Sequence, residues 1–84
     1  RDTVSSLRLD SVLSVGFSLS RSKAAEAVTS GKVQVNWTDW QKPDRQVVQG
    51  DVLTLRGLGK CVLEEVGNQT KKGRLYVAVE RFVS

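Results

Sequence analysis

The 84-residue sequence has no histidine, no methionine, one cysteine and one proline. Without histidine, no side chain titrates near neutrality unperturbed, so the usual general base and the commonest metal ligand are both missing. Cys61 cannot close an internal disulfide, and a zinc site would lack ligands. It lies in an apolar run, where a thiol behaves as a small buried hydrophobe and suits a reducing interior. No apolar stretch approaches the roughly 20 residues that cross a bilayer, and no signal-peptide pattern opens the chain, so no membrane insertion is expected. The carboxylates Asp10, Glu26 and Asp51 are scattered near caps and turns, and nothing local would lower the pKa of a lysine paired with a serine. The expectation is no catalysis by this chain alone, with no cofactor and no metal. The missing methionine suggests a piece of a longer protein, whose remaining part could hold other functions.

What the sequence has is positive charge. Thirteen Lys+Arg against nine Asp+Glu leave a net +4, which brings an acidic partner into view. A merely solubilising surface is the alternative. The length suits one small domain.

Residues 1–6 (RDTVSS) are polar and are expected to be a leader or linker, with the domain running over 7–84. In LRLDSVLSVG, residues Leu9, Val12 and Leu13 have helical spacing, and Gly16 is expected to supply the stop. Phe17 and Leu19 would bury the connection that follows. Ser20 is a good N-cap for RSKAAEAVTS, where Ala24, Ala27 and Val28 share a face and Gly31 ends the helix. After Gly31 the period becomes two: KVQVN sends Val33 and Val35 to one side and Lys32, Gln34 and Asn36 to the other. WTDWQKPDRQ predicts a loop or irregular hairpin, and QGD a turn. VLTLR (52–56), KCVLEEV (60–66) and RLYVAVERFV (74–83) predict three further strands. Helices first and strands afterwards give an α+β fold: two short packed helices, then a small, mainly antiparallel sheet.

The start of the second helix is unusual. Arg21 and Lys23 place cations where the helix dipole favours anions. With the first-turn N–H groups and the hydroxyls of Ser20 and Ser22, they would suit a phosphate. The other reading has both side chains in water, with Arg21 paired to Asp10. If the helices pack, Arg8 joins Arg21 and Lys23 on one surface, with Lys32, Gln34 and Asn36 at its edge. RGLGK, with Arg56 and Lys60 bracketing two glycines, is either a phosphate-approaching turn or a plain hairpin turn. The lysines of TKKGR belong to a solvated hairpin tip. Trp37 and Trp40 could stack on unpaired bases, although a structural role is favoured for Trp37 and the two roles are balanced for Trp40.

The order RLD..L...GF..SR..A.....SG.V.VN, followed by GD.L..RG.GK, resembles the S-four RNA-binding domain, named for small-ribosomal-subunit protein four. The resemblance covers Leu7 to Lys60. It implies an S-four-like fold (the αL motif), a helical pair docked on a small sheet. Such domains grip RNA in ribosomal proteins, pseudouridine synthases, tyrosyl-tRNA synthetases and a heat-shock protein. Its RNA-facing positions fall on Arg8, Ser20, Arg21, Lys23, Lys32 and Asn36. Its packing and turn positions fall on Leu9, Leu13, Ala24, Val28, Gly31, Val33 and Val35. Many members have glycine where this chain has Trp37. VNW with GD.L..RG.GK looks like the branch of YlmH-like proteins and of cyanobacterial and plastid photosystem II S-four domain proteins, and that resemblance implies the C-terminal part of a longer protein, behind an N-terminal portion that could be catalytic.

The expected function is therefore binding of structured RNA, ribosomal or transfer, by a monomer in the cytoplasm, or the plastid stroma in a plant. The contacts are expected at Arg8, Ser20, Arg21, Lys23, Lys32, Asn36, Arg56 and Lys60. The competing expectation is a protein-interaction module that docks an acidic partner, for instance in photosystem II assembly or a ribosome-associated complex.

Overall fold

The computed structural model describes residues 2–82. In chain order they form β1 (Asp2–Val4), α1 (Leu9–Phe17), α2 (Arg21–Thr29), β2 (Val33–Val35), β3 (Thr38–Asp39), β4 (Val52–Leu55), β5 (Gly59–Gln69) and β6 (Leu75–Phe82). The strands make one antiparallel sheet in the order β1-β6-β5-β4-β2-β3. The α+β fold expected from the element order is what the chain adopts.

The helical spacing in α1 buries Leu9, Val12 and Leu13 completely. The small face of α2, Ala24 and Val28, lets the two helices pack against each other. Beneath them lie Val33, Val35, Leu53, Leu55, Cys61, Leu63 and Val77 from one face of the sheet. Each fully buried leucine or valine contributes about 1.5–3 kcal/mol relative to leaving it exposed.

Two expectations about the helix ends turn out differently. Gly31 does take the left-handed conformation after α2, at φ 81°. Gly16 does not end α1: the helix continues through Phe17, and Ser18 at φ 55° is the left-handed cap, donating its N–H to Ser14 O. Gly16 instead touches the sheet, since a Cβ there would lie 2.7 Å from Cys61 Sγ and 3.1 Å from Val79 Cγ1. Sequence periodicity cannot tell a glycine that turns the chain from one that lets a helix approach a strand.

The leader or linker expected at residues 1–6 is also corrected in part, over the described residues; residue 1 lies outside them, as do residues 83–84 of the expected last strand and domain. Asp2–Val4 pair with β6, in register Asp2↔Val77 to Val4↔Leu75, and Val4 is buried. Arg74 fastens this short strand by donating to Thr3 Oγ1 (3.0 Å) and Thr3 O (2.8 Å). A three-residue polar strand carries almost no local signal; its partner specifies it.

Cys61 is fully buried, as expected. Burial pushes its thiol up to about 12, and the nearby Arg81 guanidinium pulls only weakly the other way. The thiolate is the reactive form. Cys61 should therefore resist iodoacetamide at pH 8 in the folded protein and be alkylated readily in denaturant, which mass spectrometry reads directly. Rapid native alkylation would contradict the packing described.

Candidate nucleic-acid interface

Asp10 organises the first cationic group. It sits in the first turn of α1, its side chain only 5% exposed. Arg8, the residue before the helix, donates from Nε and Nη2 to the two carboxylate oxygens, both at 3.2 Å. Arg21 donates from Nη2 to the same oxygens at 3.4 Å. The Arg21–Asp10 pairing weighed from sequence is thus formed. The carboxylate takes the Nε/Nη2 edge of Arg8 and Nη2 of Arg21, leaves both arginine side chains about half exposed, at 40% and 50%, and gives the trio one net positive charge.

The N-terminus of α1 is closed by backbone. Leu9 N–H donates to Arg45 O at 2.8 Å and Asp10 N–H to Pro43 O at 3.1 Å, so the proline segment folds over the helix start. The start of α2 is more open. Ser20 caps it as expected, its hydroxyl accepting from Lys23 N–H at 3.2 Å, and Ser20 to Lys23 are all exposed with no acidic residue in the first turn.

Arg21 and Lys23 do not act as one pair. Two positions apart on an α-helix lie about 200° apart around its axis. Arg21 turns toward Asp10 and a recess it shares with Arg74. Lys23 turns the other way, into a groove lined by Glu26, Ala27, Ser30, Lys32, Arg56 and Leu58. Positions 23, 26, 27 and 30 follow i, i+3, i+4, i+7 and form a single helix face.

Lys32 and Arg56 meet because β2 and β4 pair with Val33 opposite Leu55, and Arg56 N–H donates to Lys32 O at 2.9 Å. Together they continue into a notch with Gln34, Asp39 and Thr54. Arg56 also borders the next recess, with Gly57, Gly59, Lys60 and Phe82; Lys60 Nζ stands 6.0 Å from the Phe82 ring centroid. Lys23, Lys32, Arg56 and Lys60 therefore form a cationic track from α2 across the β4–β5 turn. Glu26 is the acidic residue lining its groove.

The expected amide readers are engaged in the fold. Asn36 donates from Nδ2 to Asp51 Oδ1 and accepts at Oδ1 from Val52 N–H, both at 3.0 Å. Gln34 donates from Nε2 to Asp39 Oδ1 at 3.1 Å. The structural role favoured for Trp37 is not what the fold gives it: Trp37 is 68% exposed at the β2–β3 turn. Trp40 is partly buried against the core, with the Arg45 guanidinium 3.9 Å above its ring. Sequence reasoning assigned Arg45 no role and counted Arg74 with a solvated hairpin tip, whereas Arg45 covers Trp40 and Arg74 reaches Thr3. On the outer side of β5–β6, a hydrogen bond with Glu80 holds the Glu64 carboxyl above its ordinary range, with desolvation and the Glu80 charge acting in the same direction.

A helix pair over an antiparallel sheet, with a cationic track beside the second helix and the β4–β5 turn, defines a small α+β module suited to a polyanion. Residues 7–53 match the S4 domain, and the chain belongs to that family. It is 44% identical over 80 residues to the "Ribosome-associated protein quality control protein P2" of Bacillus subtilis, which covers 95% of this chain. The chain spans 31% of that relative's length. Among solved structures it resembles the Vibrio cholerae Heat Shock Protein 15, described as trimeric, with TM-score 0.62 and 26% identity over 92% of this chain and 83% of that one. It also resembles a pseudouridylate synthase, with TM-score 0.59 and 25% identity over 75% of this chain and 26% of the synthase. No helix among the described residues is long and apolar enough to cross a membrane.

Proposed function

We propose that the chain binds structured RNA of the ribosome, holding phosphates along Lys23, Lys32, Arg56 and Lys60, with Arg8 and Arg21 forming a second contact at the start of the helix pair. The observation that carries this reading is the groove in which α2, β2 and the end of β4 deliver Lys23, Lys32 and Arg56 to one place. Three cations from separate parts of the chain share that groove with Glu26, which leaves it net positive. A phosphate backbone supplies the compensating charge, and such contacts give affinity and position with little sequence discrimination. Ser20 and the open first turn of α2 add neutral donors.

The ribosomal setting rests on the name of the Bacillus relative, and with it a bacterial cytoplasm. It is favoured over a photosystem II assembly role, for which the track offers no specific feature. The YlmH-like placement suggested by VNW and GD.L..RG.GK belongs to the same proposal. Asn36 acts indirectly, by fixing the β2–β3 turn to β4. The reading asks no chemistry of this chain and treats it as a monomer.

Titration of labelled ribosomal RNA fragments at near-physiological salt tests the proposal, with light scattering at the same concentrations to give the oligomeric state. Binding that weakens steeply as salt rises supports it. Absence of RNA binding, with retention on an acidic protein instead, would move the track to the protein-docking reading.

A further inference from the structure

Trp37 is the described residue whose conformation and exposure the fold leaves least explained. Asn36 and Trp37 are the two central residues of the β2–β3 hairpin, with Val35 opposite Thr38, and both have positive φ, 51° and 65°. This is the geometry of a two-residue type I′ turn, in which glycine is the preferred second residue. Asparagine tolerates it; a bulky aromatic residue is strained there. Burial does not offset that strain, because the side chain is 68% exposed. Trp40, three residues on, shows the contrast: it packs on the core beneath Arg45.

The turn is also held firmly. Asn36 donates its backbone N–H to Val52 O at 2.8 Å, and its side chain bonds Asp51 and Val52 as described above. The tip is thus fixed while its largest side chain faces solvent. The same hairpin carries Gln34 and Asp39, which line the notch with Lys32 and Arg56. At about 3.3 Å per strand residue, the tip lies only a few nucleotides beyond that cationic notch.

We infer that Trp37 is a stacking platform for an unpaired base of the RNA whose backbone lies on the cationic track. The role rests on the RNA-binding reading above and adds a requirement to it: a single-stranded nucleotide next to the paired region. A base rather than a phosphate belongs at the tip. Asp51, hydrogen-bonded to Asn36, lies beside the tip and would repel a phosphate there, whereas a neutral base presents a π-face that an indole ring binds without regard to sequence.

The test compares a blunt RNA duplex with the same duplex carrying a short unpaired extension, using wild type and the variants Trp37→Gly, Trp37→Asn and Trp37→Phe. Trp37→Gly relieves the turn and should raise Tm by about 4–8 °C, the shift that 1 kcal/mol gives in a domain of this size. For the extended RNA, Trp37→Gly and Trp37→Asn should weaken binding by roughly 5- to 150-fold, the range for removing one aromatic platform, while Trp37→Phe retains most of the affinity. Affinity for the blunt duplex should be unchanged in all three. Equal effects on both RNAs, or none, would overturn the inference. So would a lower Tm in Trp37→Gly, which would mean that the indole holds the turn. If wild type binds neither RNA, the proposed function itself fails, an outcome distinct from a wild type that binds both RNAs equally.

Discussion

Charge reversal at two positions of the SRSK segment should give two different outcomes. Lys23→Glu is expected to weaken RNA binding by about tenfold or more while leaving Tm within about 4 °C of wild type, because Lys23 is exposed and an exposed surface charge contributes little to folding. Arg21→Glu should weaken RNA binding and also lower Tm. Its guanidinium stands against a buried carboxylate, and a glutamate there would face Asp10, which Arg8 alone would then have to neutralise. Losing one partner of a fully buried pair costs several kcal/mol; with Arg21 half exposed, about 1–2 kcal/mol is expected. Thermal melts followed by circular dichroism, with anisotropy titrations on the same samples, separate the two effects. If both variants lost affinity and kept wild-type stability, the Asp10 pairing would be irrelevant to the fold.

Gly16→Ala should destabilise the protein even though alanine is the better helix former. The added Cβ would lie 2.7 Å from Cys61 Sγ and 3.1 Å from Val79 Cγ1, both part of the sheet surface beneath α1. Helix propensity returns up to about 1 kcal/mol, while forcing a methyl into a packed core costs about 1–3 kcal/mol. The expected net loss is about 1 kcal/mol, or roughly 4–8 °C in Tm. The loss should shrink in a Cys61→Ala background, where the obstructing sulfur is gone, so a double-mutant cycle would show clear coupling. Were Gly16 a helix stop, its neighbour Cys61 would have no bearing on the result. The left-handed position is Ser18, so Ser18→Gly should stabilise slightly while Gly16→Ala destabilises.

These two residues show how far the sequence could be read. The helix pair was legible because Leu9, Val12 and Leu13 recur at helical spacing and Ser20 and Gly31 bracket the second helix with the residues its ends require. β2, β4, β5 and β6 were legible from alternation and β-branched runs, although β5 extends to Gln69, beyond the expected end at Val66. β1 was not, because Asp2–Val4 acquire their order from β6 and from Arg74 at the far end of the chain. At the interface, the residue types were legible and the grouping was not. Arg8, Arg21 and Lys23 looked like one patch. Helix geometry sends Arg21 toward Asp10 and Lys23 toward Lys32 and Arg56, and the latter grouping depends on the β2–β4 register, which no local pattern fixes. Asn36 looked like a reader of RNA because a free amide and a structural one are the same letter; its bonds to Asp51 and Val52 identify it as the clasp of a turn.

If RNA neutralises the track formed by Lys23, Lys32, Arg56 and Lys60, the salt dependence of binding shows it. The slope of log K against log salt counts the phosphates released from their counterions, at about 0.7–0.9 per contact. For a structured ribosomal RNA fragment, Arg56→Gln should lower both the affinity and the magnitude of that slope by about one contact, with circular dichroism unchanged. A slope identical to that of wild type would place the RNA elsewhere on the molecule.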